Sequence, residues 1–138
     1  MAVSETQIFA AFIAPALIGL GLSFRCKSLA ARRILRWNAG IFVPISVGFV
    51  VLDALCSGNS ITGYQSCVGG GRIKTVANGV GGLLFLIHLL YIFIDAPILG
   101  TAGYFEMKHR WPNRPSVVYA PPIAGVVIFC VLCVLAWN

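Results

Sequence analysis

A chain of 138 residues, 59% of them apolar and only 10% charged, with a mean hydropathy of +0.91, has too little polar surface to cover a water-soluble globule. The bilayer is its solvent, and the length suits a single domain. A formal charge of +6 would suggest nucleic acid in a soluble protein, but no basic face interleaved with exposed aromatics is present, and that argues against nucleic-acid binding.

The first apolar run, 8–24, is IFAAFIAPALIGLGLSF and is free of charge back to Glu5. At about 1.5 Å per residue it is just long enough for a hydrocarbon core of about 30 Å. The residues before it, MAVSETQ, hold no Lys or Arg, and the basic block follows the run. That order is the reverse of a secretory signal, so a retained helix with its N-terminus on the outer side is expected. Pro15, Gly19 and Gly21 are tolerated in such a helix.

Residues 25–36, RCKSLAARRILR, carry Arg25, Lys27, Arg32, Arg33 and Arg36 and no acid. They read as a cytoplasmic loop or a short helix at the headgroups, with Cys26 at the border as an acylation candidate. The second run, 37–55, opens on an interfacial Trp37 and ends near Asp53. Its Gly40, Pro44 and Gly48 recur every four residues and so line one face, where helices can pack closely.

Residues 56–75, CSGNSITGYQSCVGGGRIKT, are rich in Gly, Ser, Asn and Thr and read as a loop, with 69–71 as a flexible hinge. Cys56 and Cys67 stand near its ends. On an oxidising side they would form a disulfide contributing on the order of 3 kcal/mol.

The third run, 76–105, is too long for a perpendicular span and is expected to break at Asp95-Ala-Pro97, because proline cannot continue the hydrogen-bond ladder. A membrane helix over 76–96 would then be followed by an interfacial piece, 98–107. Gly79 and Gly82 are further candidate packing positions. A second basic loop, 108–114, has Trp111 as an anchor, and a fourth span covers 117–137.

The expected fold is therefore an all-α integral membrane protein: four transmembrane helices, over about 8–24, 37–55, 76–96 and 117–137, in one compact bundle with short loops. Loops one and three hold eight basic residues against Arg72 and Lys74 in the middle loop. This bias puts loops 25–36 and 108–114 in the cytoplasm, and both termini and the cysteine loop outside. The basic residues of the first block, with Trp37 and Trp111, are the candidates for lipid or headgroup contact.

Ionisable groups inside a membrane are costly and are candidates for function. His88, Tyr91 and Asp95 stand at i, i+3 and i+7, on one face of the third helix. They suit a proton or ion relay, or else His88 bonds to a carbonyl or hydroxyl of a neighbouring helix and Asp95 pairs with a nearby Arg near the cytoplasmic headgroups. Asp53 reads as a polar end-marker. No metal site and no cofactor are expected: an electron-transfer haem usually takes two axial ligands, and His109 lies far from the single intramembrane histidine. Cys130 and Cys133 form a CxxC on a helical pattern, where small apolar filling is the ordinary role. Nucleophile, HExxH and phosphate-loop templates are missing, so no enzyme is expected.

The expected role is lateral protein–protein interaction in the membrane, as an accessory or assembly subunit of a larger complex or an immunity-type protein, or by self-association. The alternative is a small oligomeric transporter or channel using His88 and Asp95, for which the polar lining is thin.

Overall fold

The computed structural model of the chain describes residues 5–59 and 63–138, with side chains described from residue 13 onward except that of Asn59. The expectations placed on residues 1–4 and 60–62 lie outside these bounds. In chain order the elements are α1 (Glu5–Ser23), α2 (Leu29–Leu55), β1 (Cys56–Asn59), β2 (Gly63–Cys67), α3 (Gly71–Arg110) and α4 (Pro115–Trp137). By length and composition α2, α3 and α4 could each cross a membrane, and α1 contributes a shorter apolar helix over Ile13–Ser23.

The basic block is divided between a short turn and a helix. After α1 the chain turns through Arg25 and Cys26, whose N–H groups donate to Leu22 O. Ser28 then caps α2, its hydroxyl accepting from the Ala31 N–H at 3.4 Å, as a hydroxyl preceding a helix does. Arg32, Arg33 and Arg36 therefore ride on the first turns of α2, which starts well before the expected Trp37.

The break expected at Pro97 does not occur. α3 runs unbroken for 40 residues through it, about 60 Å at the helical rise and twice a hydrocarbon core. Proline removes one hydrogen bond from a helix, and α4 packs main chain to main chain on this stretch, with Gly125 opposite Ala96 O and Pro97. The Thr101 hydroxyl donates to Pro97 O at 2.8 Å, which supports the turn after the proline.

The expected loop 56–75 is instead, over the described part of 56–67, an antiparallel hairpin that pairs Cys56 with Cys67 and Ser57 with Ser66, and α3 already begins at Gly71. Cys56 and Cys67 form the disulfide at its open end. Gly58 has φ +108, and a Cβ there would lie 2.9 Å from Gly63 O, so both the backbone and the space require glycine. Tyr64 fastens the hairpin to the helices. Its ring is buried with Cys56 and Ala77, its hydroxyl donates to Asp53 Oδ1 at 2.7 Å, and its N–H donates to Asn78 Oδ1 at 2.6 Å. Asp53 is thus a tether for the hairpin.

Among the described residues the helices pack as a row rather than as a closed bundle. α1 lies on α2, α2 on α3 and α3 on α4; α1 meets α3 slightly, and α4 meets α1 and α2 at most marginally. Backbone contact explains the α3–α4 seam. A Cβ on Gly125 would stand 2.6 Å from Ala96 O, and one on Gly100 would stand 2.8 Å from Pro121 O. With Gly103 against Pro121, these glycines let two helices touch main chain to main chain. Gly48 makes an ordinary contact with Leu84, whereas Gly40, Gly79 and Gly82 face open space within this chain.

Candidate functional site

The polar face expected on α3 is buried against a matching stripe of α2. Asn38, Phe42, Ser46 and Phe49 recur at nearly four-residue steps on α2, and Leu84, His88, Tyr91 and Asp95 do so on α3. Because the helices run antiparallel, Ser46 meets His88, and Phe42 and Asn38 meet Tyr91. Asn38, Ser46, His88 and Tyr91 are each at most 4% exposed.

His88 spends both ring nitrogens within the chain. Nδ1 lies 2.7 Å from Leu84 O, and since a carbonyl only accepts, the hydrogen sits on Nδ1. Nε2 lies 2.9 Å from the Ser46 hydroxyl, which can donate or accept. Phe49 meets the ring edge-on, with centroids 5.2 Å apart. The hydroxyl of a neighbouring helix and a carbonyl thus hold His88 in place, and neither nitrogen is left for an axial ligand role.

One turn on, Asn38 Nδ2 donates to the Tyr91 hydroxyl at 2.9 Å. The Tyr91 ring stacks on Phe42 at 3.5 Å between centroids. Asp95 interacts with both Tyr91 and Asn38 rather than with an arginine. Asn38 Oδ1 and Asp95 Oδ1 are buried and accept no hydrogen bond within the chain. The cluster can hold a proton or a donor group, but among the described residues no three His, Cys, Asp or Glu side chains converge as a metal site needs. Asn38 and Ser46 escape a sequence reading that selects ionisable groups, because neither side chain ionises. Their spacing around Phe42, in phase with the α3 face, is the signal they leave.

A second constellation joins the two basic ends of the molecule. Glu106, 6% exposed, accepts from the Lys27 N–H at 2.9 Å, from the Ser28 N–H at 2.8 Å and from Arg110 Nε at 2.6 Å. Arg110 Nη2 also donates to Arg25 O at 3.1 Å. With the span read as 76–96, Glu106 lies beyond it. Burial alone would raise its carboxyl, but the two backbone N–H donors and the Arg110 guanidinium outweigh that and hold its pKa down at about 2. Nearby, burial first and then the Glu106 charge push the Cys26 thiol up, while Arg110 and Arg32 oppose them, so Cys26 is a poor thiolate.

The other headgroup candidates are placed as follows. Arg25 and Lys27 are exposed. Arg32 Nη2 donates to Cys26 O at 2.9 Å, Arg36 sits 5.5 Å over the Phe24 ring, and Arg33 and Trp37 line a shallow groove leading toward Asn38. Trp37 and Trp111 are exposed. Cys130 and Cys133 are exposed free thiols on α4. No family model matches the chain, and no curated protein or solved structure is significantly similar to it.

Proposed function

We propose that this protein spans the membrane four times and works by lateral association with another membrane protein, as an accessory or assembly subunit of a larger complex. In this reading α1 is the first span, the loops around 24–28 and 111–114 face the cytoplasm, and the disulfide-closed hairpin and both termini lie on the oxidising side. The eight-to-two distribution of basic residues supports that sidedness, and the disulfide agrees with it.

The observation that carries the association is the set of glycines without a neighbour. Gly40, Gly79 and Gly82 would each accept a Cβ with nothing within 4 Å. A glycine in a helix interior costs about 1 kcal/mol relative to alanine, and no contact within the chain offsets it at these positions. A partner helix approaching closely would, because in lipid helices associate through small-residue faces. The α2–α3 polar groups bond largely to one another, which leaves them a structural role.

The test is extraction of the tagged protein in mild detergent with mass spectrometry of what co-migrates, alongside Gly82→Leu. Stoichiometric partners that Gly82→Leu releases, while the variant still inserts, would support the reading; a small homo-oligomer with no partner would sink it. One observation favours a second reading, an oligomeric transporter or channel: the unpartnered Asp95 Oδ1 beside Asn38. Asp95→Asn separates the two, since it should abolish transport but leave partner binding intact.

A further inference from the structure

Where α1 ends and α2 begins, the helices leave a cavity of about 400 Å³ against the last turns of α3, within the ~300–1,000 Å³ range of small-ligand sites. Leu22, Leu35, Leu99 and Met107 line its apolar part, and Arg25 and the paired Glu106 and Arg110 stand at the same cavity. Leu22 and Arg25 are also exposed, so the space opens at the surface.

The charges around it are not balanced. Among the described residues the one ion pair is Arg110 with Glu106, and Glu106 is further engaged by the Lys27 and Ser28 backbone. The Arg25 guanidinium has no acidic partner among the described residues. An apolar depth is a poor site for a free anion or a polar metabolite, and the unpaired Arg25 at its edge favours an anionic amphiphile over a neutral one. The cavity lies at the level where the spans meet the basic loops, which is where a bilayer places its phosphates.

We propose that this cavity holds an acyl chain of one anionic phospholipid, whose phosphate meets the Arg25 guanidinium. The site is independent of the partner-binding reading, since none of the open glycines lines it.

Cys26 lines the same cavity and supplies the probe. In a Cys130→Ser, Cys133→Ser background, the full chain is placed in nanodiscs of phosphatidylcholine alone or with phosphatidylglycerol. N-ethylmaleimide labelling of Cys26 and native mass spectrometry of retained lipid are then measured. Phosphatidylglycerol should slow labelling several-fold, and one molecule should remain bound to the protein. Arg25→Gln should cut its retention about fivefold, the worth of roughly one basic residue at a headgroup. Leu99→Trp, which fills the apolar depth, should abolish the protection. If Leu99→Trp fails to insert, Met107→Trp makes the same test from the last turn of α3. Equal labelling in both lipids overturns the proposal. So does protection that survives the tryptophan variant, because the lipid would then lie only in the annulus around the protein.

Discussion

Glu106 is an acid held among cations, and its worth can be read against pH. Its carboxyl titrates near 2 in the folded chain, against an ordinary 4.5. A depressed carboxylate contributes stability that is fully present above 4.5 and is lost as pH falls toward 2. Thermal unfolding in detergent should therefore show a midpoint that declines between those values. Glu106→Gln should remove that decline and cost about 2 kcal/mol at neutral pH, as loss of hydrogen bonds to a charged group does. An acid-side profile identical in wild type and variant would refute the assignment. A sequence reading passes over Glu106 because its decisive donors, Lys27 and Ser28, lie 79 and 78 residues away. Only Arg110, four residues on, is a local hint.

Among the elements, the seam between α3 and α4 separates glycines that serve this chain from glycines that do not. Gly125→Leu must push α4 off the Ala96 carbonyl, and overpacking of this kind costs about 1–3 kcal/mol. Gly40→Leu meets open space and should leave unfolding within about 0.5 kcal/mol of wild type. Equal destabilisation by both substitutions would contradict the packing described for α4. The long helices α2, α3 and α4 were legible because an apolar run of that length has few alternatives, and the face of His88, Tyr91 and Asp95 was legible from its period. The packing roles of the glycines were not. Regular spacing singles out Gly40 and Gly48, but only the fold shows that Gly100 and Gly125 lie opposite backbone. Local rules likewise failed at Pro97, where one missing hydrogen bond does not end a helix that α4 packs against at Ala96 and Pro97. They failed again at the hairpin, whose Gly and Ser residues look like loop and whose Tyr64 finds Asp53 and Asn78 only after the helices have assembled.

At the scale of the whole molecule, the two basic ends are held together. Glu106 and Arg110, at the end of α3, bond to the backbone of the turn between α1 and α2, so both basic loops lie at one end and the hairpin at the other. Two crossings, α2 and α3, are needed to return the chain to the same end, and the basic charge there favours the cytoplasm. Whether α1 adds a further crossing is a separate question. Its 19 residues span about 28 Å at the helical rise, just enough for a thin bilayer. A membrane-impermeant maleimide on intact cells should react with Gln65→Cys and spare Asn113→Cys until the membrane is opened. An epitope tag on the N-terminus should be accessible from outside if α1 crosses and hidden if it lies on the cytoplasmic surface. Reaction of Asn113→Cys from outside would invert the whole orientation. A hidden N-terminal tag with the other two results intact would leave three spans and contradict the packing of α1 along α2, where Ala16 meets Phe42 and Tyr91.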